Sequence, residues 1–137
     1  MLLRHLLIAW PWVWAGQAAL AQTTTPAALQ RGYEAVAGTP AQADRGQRFF
    51  LQRHGGEWSC ASCHGQHPVQ AGRHAVTHKV LEPLAPAGNP RAFTDEKRVE
   101  KWFRRNCKDV LQRECTPGEK ADVLAWLQTL RSKGERP

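Results

Sequence analysis

The feature that most constrains this chain is the pentapeptide Cys60-Ala61-Ser62-Cys63-His64. Two thiols separated by two residues, with an imidazole directly after the second, match the spacing at which haem is attached covalently and its iron bound. A zinc site would need a second suitable pair, and Cys107 and Cys115 are separated by seven intervening residues. A thioredoxin-like dithiol would need a βαβ pattern, which the sequence lacks. We therefore predict one haem c attached through Cys60 and Cys63, with His64 as an iron ligand.

The first 21 residues read as an export signal. Arg4 and His5 precede an apolar run from Leu6 to Leu20, and Ala19-Leu20-Ala21 has the small-x-small pattern of a cleavage site. The run is about 15 residues, short of the roughly 20 that cross a bilayer, which argues against a membrane anchor. We expect cleavage after about Ala21 and a periplasmic protein, in a compartment where disulfides can form.

The remaining sequence predicts an all-α protein with a single domain. Residues 22–40 form a tail and a short helix, and residues 41–137 form the domain itself. Helices are expected at Pro26 to Ala37 and at about Gln42 to Gln52, whereas prolines and glycines make Gly65 to Phe93 irregular. No strand pattern is visible. A long irregular segment is uncommon unless it wraps something, and a haem would be that object. The side chains expected to cover the haem are Phe49, Phe50, Trp102 and Leu127.

Two further helices are predicted near the C-terminus. Thr94 reads as the N-cap of a helix that reaches about Leu111. The capping box Thr116-Pro117-Gly118-Glu119 opens a last helix, which Lys133-Gly134 closes. On the first of these helices one stripe comprises Val99, Trp102, Phe103, Asn106 and Val110, and the opposite stripe comprises Lys97, Lys101, Arg104 and Lys108. Asn106 is therefore expected near the middle of a buried face.

The second axial ligand of the iron is left open by the residues. Electron-transfer cytochromes of this size commonly use methionine, but the only methionine is Met1, at the head of the signal segment. An open position, a histidine such as His74 or His78, and the unusual ligand Asn106 remain. The histidines and Asn106 each have a simpler interpretation, because a histidine in a loop is more often solvated and a buried amide more often hydrogen-bonds to backbone.

Several segments together resemble the SHP-type oxygen-binding monohaem cytochromes c. They are Val99 to Cys107, Cys115-Thr116 with the Glu119-Lys120 helix, Arg45-Gly46 before Phe49-Phe50, Cys60 to His64, and Glu82 to Pro86. The resemblance implies a class I cytochrome c fold and an iron bound by the motif histidine and by an asparagine directly before a cysteine, here Asn106. It also implies a disulfide between Cys107 and Cys115. His78 departs from the family, where a small residue would precede Lys79, and keeps bis-histidine ligation open.

The same resemblance implies a ligand-binding redox protein. Asn106 would bind ferric iron, leave on reduction and free the ferrous haem for O2 or NO, with electrons from multihaem c-type cytochromes and a membrane cytochrome b. The alternatives are a simple electron carrier with a six-coordinate bis-histidine haem, and an enzyme acting on a small nitrogen or oxygen species. The net charge of +7 favours acidic proteins or lipid headgroups over nucleic acid as partners of an exported chain.

The cysteine pair allows two roles. The implied bridge between Cys107 and Cys115 would staple the end of one helix to the start of the next. Alternatively, reduction of the bridge would move the helix end and change how Asn106 binds the iron.

Overall fold

The computed structural model describes residues 23–132. The predicted signal segment lies outside the described residues, and the last helix ends at Thr129, before the predicted closing pair Lys133-Gly134. Within the described range the elements are α1 Pro26–Ala37, α2 Ala43–Leu51, α3 Cys60–His64, β1 Gly72–Arg73, β2 Val80–Leu81, α4 Glu96–Leu111 and α5 Pro117–Thr129. The predicted all-α class is confirmed, with one short strand pair as the exception. No helix in this part of the chain is both long and apolar enough to cross a membrane.

The helix ends follow local capping chemistry. α1 begins after Thr25, whose hydroxyl accepts a hydrogen bond from the Ala28 N–H at 3.1 Å, and has its predicted bounds. The predicted N-cap Thr94 of α4 is wrong by one residue. Asp95 accepts from the Arg98 N–H at 2.9 Å, whereas the Thr94 hydroxyl donates to the Arg91 carbonyl. Two adjacent residues able to cap make this boundary hard to read from sequence.

The segment predicted to be irregular contains a small hairpin, which corrects the expectation of no strands. β1 pairs antiparallel with β2, and the His74 N–H donates to the Lys79 carbonyl at 2.8 Å. Strands of two residues are too short to show the alternating pattern that marks a strand. Gly72 holds the hairpin against α3, since a Cβ there would overlap the carbonyl of Cys63 and crowd the backbone of His64.

The core is built around α5, on which both α1 and α2 pack. The larger cluster of buried side chains consists of Phe50, Ala85, Val123, Trp126 and Leu127, and the smaller one of Leu29, Val99 and Leu124. The Phe50 and Trp126 rings lie 4.9 Å apart. α2 approaches α5 most closely at Gly46, where a Cβ would overlap the Asp122 carbonyl. The crossing therefore requires a residue without a side chain at position 46.

A buried carboxylate fixes α2 on α5. Asp122 is 3% exposed and accepts hydrogen bonds from the Gln42 N–H at 2.7 Å and from Arg45 Nη2 at 2.8 Å, with Arg45 Nε as a third donor. Because the carboxylate is fully satisfied, its burial costs far less than that of an unpaired charge.

A polar cluster joins α4 to α1 and α5. Glu100 of α4 accepts hydrogen bonds from the Tyr33 hydroxyl and from Lys120 Nζ, the latter at 2.8 Å. Lys120 Nζ also lies 5.1 Å from the Tyr33 ring centroid and 5.6 Å from that of Phe103. Burial and the Glu100 carboxylate raise the pKa of Tyr33, so its hydroxyl stays protonated and continues to donate.

We expect Glu100→Gln to weaken this attachment in a pH-dependent way. Partial burial alone would raise the pKa of Glu100, but hydrogen bonds from Lys120 and Tyr33 outweigh it and hold the pKa below the ordinary 4.5. A carboxyl whose pKa is depressed by folding stabilises the protein above the unfolded pKa, and that stability is lost as the pH falls through the folded pKa. The variant should lose about 1 kcal/mol of unfolding free energy at neutral pH, a figure reduced for partial exposure.

Denaturant unfolding of the haem-bound protein as a function of pH measures this effect. The difference between wild type and Glu100→Gln should shrink as the pH falls below 4.5. The control is Glu57→Gln at an exposed position, which should change stability little at any pH. A Glu100→Gln deficit of constant size at acid pH would count against a role for the ionised carboxylate.

Candidate haem site

α3 presents the cysteine and histidine motif on a single short helix. Ser59 caps it, accepting from the Ser62 N–H at 3.2 Å, while the Ser59 N–H donates to the Ser62 hydroxyl at 2.9 Å. Residues three and four apart on a helix are neighbours, so Cys60, Cys63 and His64 lie on the same side of α3. The two thiols are free rather than bonded to each other. The motif's own sequence, with serines at both capping positions, thus organises the site.

The surroundings of the two thiols differ. Burial raises the pKa of the Cys60 thiol to about 11. The Cys63 sulfur accepts a hydrogen bond from the Ala75 N–H at 3.3 Å, from the loop between β1 and β2. An open depression of about 380 Å³ lies between α3 and this hairpin, lined by Ala61, Ser62, Cys63, Gly65, Ala71, Gly72, Arg73 and Val80. The hairpin therefore borders the Cys63 side of the motif, whereas Cys60 and His64 do not line this depression.

His64 has the properties of a metal-ligating imidazole. Burial lowers its pKa, which favours the neutral form that binds metals. Its Nδ1 is the one buried side-chain polar atom among residues 23–132 without a hydrogen-bond partner. The Phe50 ring lies 6.3 Å away from the imidazole. A neutral imidazole that makes no side-chain hydrogen bond, beside two free thiols, fits a covalently attached haem.

Asn106 lies on α4 one turn after Trp102, and its side chain makes no hydrogen bond within the described range. The expected stripe is only partly buried. Val99 is 8% exposed, but Trp102 is 43% exposed and Asn106 is exposed too. The reason is that α4 turns Val99 towards Leu29 of α1 and Leu124 of α5, and Cys107 towards Cys115, which leaves the edge with Trp102 and Asn106 uncovered by protein. The amide is thus not used in a structural hydrogen bond.

A disulfide fixes the residue next to Asn106. Cys107 in α4 is joined to Cys115, directly before α5, with their Cα atoms 5.5 Å apart. The polar cluster of Glu100 anchors α4 two turns earlier. The backbone at Asn106 is therefore held at both sides.

The remaining histidines have other surroundings. His54 Nε2 hydrogen-bonds with the Phe49 carbonyl at 2.8 Å. His74 Nδ1 accepts from the N–H groups of Val76 and Thr77, both at 3.2 Å, and His67 and His78 are exposed. Between residues 23 and 132 the His, Cys, Asp and Glu side chains form no group of three or more suited to a metal ion.

Sequence reasoning missed the residues that support the site. Gly72 and the Ala75 N–H come from the hairpin and act through the fold, so no local signal marks them. Ser59 and Ser62 could have been found, because their spacing is that of a capping box.

Comparison with known proteins identifies the relatives of this chain. A family model described as a domain of unknown function, DUF1924, matches residues 36–127. Cytochrome c-type protein SHP of Cereibacter sphaeroides is 53% identical over 113 residues, which cover 80% of this chain and 87% of that protein. Cytochrome c'' of Methylophilus methylotrophus is 44% identical over 82 residues, which cover 60% of this chain and 57% of that protein.

Solved structures agree with the sequence relatives. Oxidized SHP, described as an oxygen-binding cytochrome c, matches with a TM-score of 0.74 and 52% identity over 78% of this chain and 98% of that one. Oxidized cytochrome c'' from Methylophilus methylotrophus matches with a TM-score of 0.70 and 34% identity over 78% and 95%. The predicted class I cytochrome c fold and the predicted covalent haem are thereby confirmed. The chain belongs to the DUF1924 family and, within it, to the SHP-type monohaem cytochromes c, with one covalently attached haem c.

Proposed function

We propose that this chain is an exported, periplasmic redox protein that binds a diatomic gas. Cys60 and Cys63 attach the haem, His64 binds the iron on one side, and Asn106 binds it on the other in the ferric state. On reduction Asn106 withdraws and leaves a position for O2 or NO. The observation that carries this proposal is the 53% identity to SHP, whose solved structure is described as that of an oxygen-binding cytochrome c.

The surroundings of Asn106 support such a switch. A carboxamide is a weak, neutral ligand that prefers the harder ferric ion, and the Asn106 amide has no hydrogen bond to break within residues 23–132. When bound, haem supplies the one-electron change and the iron position that the ligands share. Because the disulfide at Cys107 holds the backbone, withdrawal requires only rotation of the Asn106 side chain. A small movement can therefore open the position.

The electron donors belong to the proposal as well. We infer that multihaem c-type cytochromes and a membrane cytochrome b supply the electrons. A chain with a net charge of +7 is attracted to acidic protein surfaces, which raises the rate of encounter.

A second candidate is an electron carrier with a bis-histidine haem. Its support is the surroundings of His74, in the loop between β1 and β2. In this chain His74 uses Nδ1 to accept two backbone hydrogen bonds, so Nε2 is the ring nitrogen left for iron. His78 is exposed, in a left-handed backbone conformation with φ 58°.

The optical spectrum of the dithionite-reduced protein, with and without carbon monoxide, separates the two functions. We expect a high-spin ferrous spectrum that shifts when the gas is added. Asn106→Ala should in addition convert the ferric spectrum from low-spin to high-spin, because the sixth ligand is lost. The matched control is His74→Ala, which should leave the ferric spectrum unchanged.

The opposite pattern would refute gas binding. A reduced protein that is low-spin and indifferent to carbon monoxide, with a ferric spectrum changed by His74→Ala and not by Asn106→Ala, identifies the electron carrier. Both variants are at surface-accessible positions, so each should fold.

A further inference from the structure

One side of α4 carries an unusual concentration of positive charge. Six cationic side chains, all exposed, fall within about 120° of the helix circumference at 100° per residue. We call this surface the basic face, and it consists of Lys97, Arg98, Lys101, Arg104, Arg105 and Lys108. Glu96 and Glu100 of the same helix fall well outside this arc, and Asp109 lies about 20° beyond its edge. Most of the cations of α4 therefore share one side of the helix.

The positive charges are mostly uncompensated. Within residues 23–132 the one carboxylate that forms ion pairs with the basic face is Glu114, whose Oε1 lies 3.9 Å from Arg104 Nε and 3.8 Å from Lys108 Nζ. Glu100 points inward to Tyr33 and Lys120. With Glu114 and Asp109 both counted against the six cations, the face keeps a net charge of about +4, and such a field acts over roughly a Debye length, about 8 to 10 Å.

The basic face borders the proposed iron ligand. Trp102 lies on the helix edge between the cationic arc and Asn106, and it is 43% exposed. The Arg105 guanidinium carbon lies 5.6 Å from the Trp102 ring centroid, so one member of the face covers this aromatic ring. A partner seated on the basic face would therefore contact the helix that carries the redox-dependent ligand.

We propose that the basic face is the docking surface for an acidic redox protein that delivers electrons to this cytochrome. The inference rests on the proposed function for the electron, since the docked protein is oxidised by one electron as the iron passes from ferric to ferrous. An anionic membrane fits less well. Helices that bind lipid surfaces insert a row of apolar side chains beside their cations, whereas the one exposed large apolar side chain of α4 is Trp102, which Arg105 covers. The basic face is better suited to a folded partner whose surface carries carboxylates, because the charges of the two surfaces are then complementary.

Stopped-flow reduction of the ferric haem-bound protein by flavodoxin hydroquinone, an acidic one-electron donor, tests this proposal. The anionic hydroquinone becomes the neutral semiquinone, and no proton is needed. Reversing three charges with Lys97→Glu, Lys101→Glu and Arg104→Glu should lower the second-order rate at low salt at least about tenfold and remove most of its salt dependence. Replacing the same residues with glutamine, which keeps helix propensity, should give a smaller loss in the same direction.

Two controls make the result specific. Reversing three exposed arginines away from α4, with Arg31→Glu, Arg48→Glu and Arg53→Glu, changes the net charge equally and should lower the rate less than about threefold. Neutral lumiflavin semiquinone should reduce all variants at similar rates. Equal losses in the two charge-reversed proteins would overturn the proposal, because net charge alone would then explain the steering.

Two further measurements distinguish the docking proposal from a lipid-binding role of the basic face and from a wrong assignment of Asn106 as iron ligand. If the charge-reversed face lost binding to phosphatidylserine vesicles while flavodoxin reduction stayed unchanged, the face would be a lipid surface and the proposal wrong. A wrong assignment of Asn106 would appear in the ferric spectrum of Asn106→Ala and would leave the salt dependence of encounter intact. Failure of the docking surface and failure of the ligand switch are thus distinguishable.

Discussion

Replacing Cys60 and Cys63 together with alanine is expected to yield a chain without covalent haem and without a cooperative unfolding transition. Eleven hydrophobic residues are buried among the 110 described, a thin core that the haem completes. His64 would remain, but one imidazole cannot retain haem through denaturation. Haem staining of a denaturing gel measures attachment, and far-ultraviolet circular dichroism during heating measures folding.

The other cysteine pair provides the matched control. Cys107→Ala with Cys115→Ala removes a bridge that spans 8 residues and should cost about 2 to 3 kcal/mol in the chain-entropy model while leaving haem attached. Both double variants lose two sulfurs, so a difference in haem content isolates the role of the α3 pair. A haem-free Cys60→Ala, Cys63→Ala chain that melts cooperatively would show that the polypeptide folds alone.

Gly46→Ala should be the most destabilising single methyl addition in the protein. The new Cβ would overlap the carbonyl of Asp122, so α2 must move away from α5 and loosen the hydrogen bonds that Asp122 accepts. Overpacking at a helix crossing costs about 1 to 3 kcal/mol, and we expect the upper part of that range. Denaturant unfolding of the haem-bound variant gives the value.

Gly32→Ala is the same chemical change with the opposite expected sign. Gly32 lies inside α1, exposed, with no atom within 4 Å of the added Cβ. Alanine there should stabilise the protein by about 0.5 to 1 kcal/mol through helix propensity. If both substitutions were equally harmless, the close approach of α2 and α5 would be wrong.

Capping residues and helix-terminating residues made most of the helices predictable from the sequence. Pro26 and Gly38 bracket α1, and the capping box of Thr116 and Glu119 opens α5, as predicted. α5 ends at Thr129, because Leu130 is already extended, so its predicted end at Lys133 was too late. The hairpin could not be predicted, because its stability comes from the contact of Gly72 with α3 rather than from its own two-residue strands.

The two sides of the proposed iron site differ in how well the sequence predicts them. The two thiols and His64 can be recognised in the sequence because covalent haem attachment imposes a fixed spacing on neighbouring residues. The position of Asn106 depends on what covers α4, and helical periodicity shows only which residues share a side. Trp102 and Val99 fall on one predicted stripe, yet Trp102 is 43% exposed and Val99 is 8% exposed. The apolar partner expected for that stripe is a prosthetic group rather than polypeptide.

The packing of α1 and α2 on α5 has a consequence for biogenesis. Segments near the beginning of the domain find their main partner in Pro117–Thr129, so native contacts close over most of the chain's length. Neither early helix can complete its packing until the last one has been synthesised. We therefore expect Cys60 and Cys63 to stay accessible throughout that interval, so that haem can be attached before the tertiary structure closes around them.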